Sequence, residues 1–267
     1  MSPLHYEVRD GIAEIHLCHA PVNALDVGVL DALIGALDEA NADPSVRAVL
    51  LASGLPGRFC AGLDMKQLLQ STPARVRELL TRLYIKLYDA QFNLTKASIS
   101  VVSGAVRGGG MTVAISSDMI VAADTATFGY PEIDVGVLPA IHYVHLPAIV
   151  GKHRAFDLLF TGRTFDAHEA HAMGLVTRVA PEAELLEQAR ALARSLAAKP
   201  PEVLAMGRRA FVYSNDNEYR RRVATAVEVF CNAAATPEAH EGLSAFVQKR
   251  APDWASVAEA RSSATGR

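Results

Sequence analysis

Three consecutive glycines, Gly108-Gly109-Gly110, and one carboxylate, Glu132 in the run GYPEIDVG, are the residues of this chain best placed by type and spacing to do chemistry. The glycines follow an apolar strand-like run, Ile99–Val102, and precede a helical pattern, Met111–Ser116. Backbone N–H groups at a helix start lack intrahelical acceptors, and the dipole there favours negative charge. Glycine lets a ligand approach that backbone closely. The same spacing also describes a tight strand-to-helix turn, because glycine punctuates loops generally. As an anion site followed by one acid, it suggests proton transfer beside a carbonyl whose oxygen gains charge. Glu132 follows Pro131 and has the apolar neighbours Ile133, Val135 and Val137. Burial in such a setting raises a carboxyl pKa toward neutrality, which suits a proton shuttle. The alternative is a surface glutamate at a strand end. Asp134 would face the same side of a strand as Glu132 and is read as structural.

Alternating strands and helices must position these groups. Tyr6–Val8 and Ile12–Leu17 have β pattern and flank Asp10-Gly11, a hairpin signal. Val27–Ala40 has helical spacing, and Val46–Ala52 reads as a buried strand followed by the loop SGLPGRF. Asp64–Gln70 and Arg75–Asn93 read as helices, the second opened by Thr72-Pro73. Ile99–Val102, Gly109–Ser116 and Met119–Ala122 give strand, helix, strand, which implies a buried parallel sheet with right-handed crossovers. From Ala140 onward the pattern is almost wholly helical, including Glu184–Ala198, Glu202–Tyr213 and Pro237–Lys249, and Ser262–Arg267 reads as a loose tail. The division expected is an α/β core over residues 1–200 and a helical C-terminal region over 201–267.

Composition narrows the function. Half of the 267 residues are hydrophobic, enough for a large core without disulfides or metals. The 26 basic against 29 acidic side chains, net −3, give no electrostatic case for nucleic acid. Cys18, Cys60 and Cys231 are odd in number and far apart, which favours a reducing, cytoplasmic or matrix-like compartment. Neither a signal peptide nor an apolar stretch of membrane-span length is visible. A cytoplasmic protein that does not bind membranes is expected.

With these residues in view, the chain resembles the enoyl-CoA hydratase/isomerase (crotonase) family over nearly its full length, from PVNALD to GLSAFVQKR. Four segments in the right order carry the resemblance: FCAGLDMK (Phe59–Lys66), RGGGMTVAISSD (Arg107–Asp118), FGYPEIDVGVLP (Phe128–Pro139) and GLSAFVQKR (Gly242–Arg250). It implies a spiral of repeated ββα units with C-terminal helices that trimerise, often into hexamers. It also implies acyl-CoA substrates, with coenzyme A as part of the substrate and no metal or redox cofactor. By matching position, Leu63 and Gly109 would donate their backbone N–H groups to the thioester oxygen as it becomes an enolate, and Glu132 would be the base. Ala61, Asp64 and Lys66 would meet coenzyme A, the lysine as a point charge for phosphate. Arg58 is a weaker candidate. Phe246 and Lys249 match positions that close over the nucleotide, often from another subunit, or form an ordinary helix face.

The chain departs from the family's hydratases at one telling place. Those enzymes carry a second glutamate where this sequence has Thr112. Adding water to a 2-enoyl thioester is most easily run by two groups that hold the water and move protons. Moving a double bond needs one carboxylate, as in the family's Δ3-Δ2-enoyl-CoA isomerases. Ala140 stands where dienoyl-CoA isomerases place an aspartate. His142 and His145, at i, i+3, could share a helix face and act in acid–base chemistry or substrate contact. They lack an evident third ligand for a metal. Cys60 reads as a buried small residue. The sequence therefore favours isomerisation, with hydration or a related lyase reaction through Glu132 and a water held by Thr112 or His142 as the alternative. A catalytically inert acyl-CoA binder is the third reading.

Overall fold

The computed structural model describes residues 2–216 and 218–265. β1 (Leu4–Arg9) and β2 (Ile12–Leu17) form the expected antiparallel hairpin, with Asp10 and Gly11 both at positive φ in its turn. α1 (Val27–Ala42) is opened by Asp26, whose carboxylate accepts from Val29 N, and buries Leu30, Leu33 and Leu37. β3 (Ala48–Ser53) follows, then β4 (Arg58–Cys60), a short strand inside the stretch that the sequence suggests is loop.

α2 (Met65–Gln70) and α3 (Pro73–Leu80) lead into α4 (Leu87–Asn93). The helix expected over Arg75–Asn93 is present, but a π-helical stretch, Thr81–Lys86, replaces its middle turns. β5 (Ala97–Val102), β6 (Ala105–Arg107), α5 (Gly109–Ile115), β7 (Met119–Ala123) and β8 (Thr127–Gly129) complete the site-bearing part. Glu132 lies not on a strand but on a 3-10 turn, Pro131–Val135, ended by Gly136 in the left-handed region. The strand reading of Asp134 fails with it. Its exposed carboxylate sits beside Gly162, away from Glu132, because a 3-10 turn does not repeat every second residue.

The region after Ala140 is less uniformly helical than its pattern suggests. α6 (His142–Val150), α7 (Lys152–Thr161), α8 (Ala167–Ala172), α9 (Leu185–Ala197), α10 (Pro201–Asp216), α11 (Tyr219–Ala234), α12 (Pro237–Gln248) and α13 (Trp254–Thr265) are helices. Two three-residue strands, β9 (Thr164–Asp166) and β10 (Arg178–Ala180), interrupt them. Strands this short show no alternation of their own and exist through pairing with β8 and β7. The expected tail is also helical as far as Thr265. Asp253 accepts from Ser256 N at the start of α13, and Trp254 packs over Gly242 of α12. Residues 266–267 lie outside the described part.

The strands form two sheets. The larger has the order β1-β2-β3-β5-β7-β10 and is parallel except at the hairpin. The smaller has the order β4-β6-β8-β9, with β4, β6 and β8 parallel. β5 is buried at every residue, as a parallel strand covered on both faces must be. No helix among the described residues is long and apolar enough to cross a membrane.

Candidate active site

Three segments singled out in the sequence leave the carboxyl ends of neighbouring strands of the smaller sheet. Cys60 of β4 leads to Ala61–Leu63, Arg107 of β6 leads to the glycine triplet, and Gly129 of β8 leads to Glu132. Because β6 lies between β4 and β8, the glycine turn lies between the other two segments. In open parallel sheets this end of the strands is where ligands bind. Arg107 ties the arrangement together by donating to Thr127 O at 2.7 Å and Thr127 Oγ1 at 3.0 Å.

Close backbone approach sets the two amide donors side by side. Leu63 bridges Leu25 in parallel fashion, with Leu25 N donating to Gly62 O and Asp64 N to Leu25 O. In such a bridge the N–H of Leu63 itself points the other way. Gly109 is the first residue of α5, where a helix offers its N–H no internal acceptor. A Cβ at Gly109 would stand 3.4 Å from Leu63 N, and one at Gly62 would stand 3.0 Å from Gly109 N and 2.7 Å from Arg107 O. A Cβ at Gly110 would collide with the Cys60 carbonyl. Only glycine permits this contact. Gly108 and Gly62 also hold positive φ. The arrangement is two adjacent N–H groups at a helix N-terminus, which favours an oxygen that carries negative charge.

Glu132 closes the other side. It is buried, its Oε2 has no hydrogen-bond partner among the described residues, and a Cβ on Gly108 would lie 3.0 Å from its Oε1. Burial pushes the carboxyl up to about 7, opposed by a hydrogen bond from its own backbone. A carboxyl poised there both accepts and returns a proton near neutral pH. The hydroxyls of Tyr84 and Tyr130 are pushed well up by burial and secondarily by the Glu132 charge.

Where a second acid would stand there is a neutral polar chain. Thr112 Oγ1 lies 3.3 Å from His142 Nε2, and His142 Nδ1 lies 3.3 Å from His145 Nε2. Tyr130 meets the His142 ring edge-on at 4.5 Å. Burial and then His145 hold His142 well below the ordinary histidine value, against a hydrogen bond with the Gly108 backbone. Burial brings His145 down to about 4. Both rings are therefore uncharged at neutral pH. Among the described residues no third metal-ligating side chain joins them. Among the described residues the one group of three such side chains, Glu7, Glu14 and His16, lies on the β1-β2 hairpin. A cavity of about 500 Å³ is lined by Thr112, His145, Leu83, Leu87, Gln91 and Phe211, among others. It does not include Glu132, which sits beside Gly108, one helical turn away.

The residues expected to meet coenzyme A are placed less tightly. Ala61 is exposed, with its N–H given to Val22 O. Asp64 caps α2 through Lys66 N and Gln67 N, so its carboxylate is engaged locally. Lys66 and Arg58 are exposed. Phe246 and Lys249 are exposed at the end of α12, the helix that packs on α2. Burial pushes the Cys60 thiol up to about 12, and the thiol donates to Asn23 O, which keeps it inert. Sequence reasoning missed Asn23. Fully buried at positive φ, it donates to Phe59 O and Ser53 Oγ, both at 2.9 Å, and so holds the strand that delivers Leu63. A buried amide in the break PVNALD was the available signal.

Known proteins match this chain over nearly its full length. The family model described as enoyl-CoA hydratase/isomerase matches residues 7–257. A Mycobacterium bovis protein named "Probable enoyl-CoA hydratase echA8" is 34% identical over 247 residues, covering 92% of this chain and 94% of its own. The 2,3-dehydroadipyl-CoA hydratase of Escherichia coli strain K12 is 33% identical over 234 residues, covering 87% of this chain and 90% of its own. The crystal structure of an enoyl-CoA hydratase/isomerase from Pseudoalteromonas atlantica T6c superposes with a TM-score of 0.83 at 28% identity, over 95% of this chain and all of that one.

Proposed function

This chain belongs to the enoyl-CoA hydratase/isomerase family, whose substrates are acyl-CoA thioesters, and from that premise we propose that it moves the double bond of an enoyl-CoA with Glu132 as its single proton carrier. The thioester oxygen would sit between Leu63 N–H and Gly109 N–H. The Glu132 carboxylate would take a proton from C2 of a 3-enoyl thioester. Electrons from that C–H bond would pass into the thioester to form a dienolate, whose oxygen charge the two N–H groups stabilise. Protonated Glu132 would then return the proton at C4, leaving the 2-enoyl product. The observation that carries this reading is the buried, unpartnered Glu132 beside the glycine turn, with Thr112 and two neutral histidines in place of a second acid.

Hydration is the second reading, favoured by the Thr112–His142 contact and by the names of the relatives. Thr112 would hold a water whose proton Glu132 accepts as oxygen attacks C3, and Glu132 would deliver that proton to C2. One experiment separates the readings. Purified protein is offered 3-enoyl-CoA and 2-enoyl-CoA while the conjugated thioester absorbance is followed. Isomerisation gives a gain from the 3-enoyl substrate alone, and hydration gives a loss from the 2-enoyl substrate. Tight binding with no turnover of either would identify an inert acyl-CoA binder. Coenzyme A contacts at Lys66, Phe246 and Lys249 belong to the same proposal.

A further inference from the structure

Gln91 is a buried residue whose side-chain amide is left without a hydrogen bond among the described residues. It is 2% exposed, it lines the same cavity as Thr112, and neither its Nε2 nor its Oε1 has a partner among the described residues. A buried amide without partners costs stability and is rare without a reason. Its backbone carbonyl does have a role, accepting from Arg208 Nη2 at 2.7 Å, so the main chain at this position is fixed while the side chain is left over.

The position of Gln91 relative to the reacting atoms follows from helix geometry. Leu83 touches the glycine turn, since a Cβ on Gly109 would meet Leu83 Cδ2 at 3.1 Å. Leu83, Leu87 and Gln91 follow at i, i+4 and i+8, and all three line the cavity. Leu83 lies in the π-helical stretch and Leu87 and Gln91 in α4, so the eight residues advance at most about 12 Å. On the other side Gly108, beside Glu132, and Thr112, in the cavity wall, are also i, i+4, so the wall at Thr112 lies about one helical turn from Gly108. A group held with its thioester oxygen at Gly109 and its chain along Leu83 and Leu87 would bring its far end to Gln91.

The charges nearby decide what that far end is. Arg208 at the cavity wall is paired with Asp118 at 2.8 Å, and Arg222 with Glu218 at 2.6 Å. Neither arginine is a spare cation for a carboxylate. The Gln91 amide offers a donor and an acceptor without charge. Resting on the reading that Glu132 and the two N–H groups mark the thioester end, we propose that Gln91 is a specificity-determining residue that selects acyl groups carrying a neutral oxygen function, a hydroxyl or carbonyl, about two helical turns from the thioester. A site built to hydrogen-bond such a group rejects the analogue that lacks it, because the buried amide is then left unpaired.

The test is binding, which does not depend on turnover. Saturated, unreactive decanoyl-CoA and 10-hydroxydecanoyl-CoA are titrated into the full-length protein and into Gln91→Met by calorimetry. Wild type is expected to bind the hydroxylated thioester at least about tenfold more tightly, and the near-isosteric Met variant is expected to lose or reverse that preference. Gln91→Leu serves as a second variant if the first does not fold. Equal affinity of wild type for the two thioesters, or a preference that both variants retain, overturns the proposal. Binding with the expected preference but without turnover of any enoyl-CoA would leave the Gln91 assignment standing and remove the proposed reaction.

Discussion

Glu14 and Glu132 are both buried carboxylates, 2% and 8% exposed, yet the molecule treats them in opposite ways. Glu14, on β2, accepts from Arg190 Nε at 2.7 Å and Nη2 at 2.9 Å and from His16. Burial pushes its carboxyl up, but the hydrogen bonds and charges of Arg190 and His16 outweigh burial and hold it below its ordinary value. Glu132 has the burial without the cation and rises to about 7. The pair teaches that burial alone does not make a glutamate chemically poised. The absence of an ion-pair partner does, and that arrangement belongs to sites.

The largest effect that would break this contrast is on turnover. Glu132→Gln should lower kcat by about 10²–10⁴-fold, whereas Glu14→Gln should leave kcat within a few-fold and lower the melting temperature instead. Equal loss of kcat in the two variants would refute the assignment. In denaturant titrations above pH 8, Glu132→Gln should also gain up to about 3 kcal/mol, because it removes a buried charge without a counterion.

The next effect lies on the structural side. Arg190→Met leaves Glu14 buried with only His16 beside it and should cost about 3 kcal/mol at neutral pH, with a smaller loss at pH 4, where Glu14 can protonate. A loss that does not depend on pH would mean that Arg190 acts by packing rather than charge.

A smaller effect sharpens the comparison through pH. The raised Glu132 makes the native state bind more protons between the ordinary carboxyl value and about 7, so its contribution to stability is full below that window and is lost as pH rises through it. The lowered Glu14 contributes above the ordinary value and loses its contribution as pH falls. The pH profile of kcat/KM should therefore rise with an apparent pKa near 7, measured by turnover of the preferred enoyl-CoA. The smallest effect concerns Thr112→Val, which should change isomerisation by only a few-fold and should cut any hydration by about tenfold or more.

Much of this site was legible in the sequence because its donors are backbone groups and glycine marks where backbone must come close. The triplet, the CAGLD segment and Glu132 could each be placed by pattern. The 3-10 turn under Glu132 was not legible, because Pro131 before an alternating apolar run suits a strand equally well. β9 and β10 were hidden because three residues carry no period. The Thr112–His142 contact spans 30 residues and depends on how α6 folds back over α5. The role of Asn23 was not legible because the amide contacts that hold β4 reach residues 30 and 36 positions away.

The contact of Gly110 with Cys60, and of Gly62 with Arg107, means that the two amide donors are spaced by main chain meeting main chain. Leu83 and Leu25 flank that joint at Gly109, but its spacing is set by main chain. The walls beyond Thr112, in contrast, are built wholly of replaceable side chains. Selectivity can therefore drift by point mutation while the pair of backbone amides keeps its dimensions, so one lineage can change its diet without having to rebuild that pair.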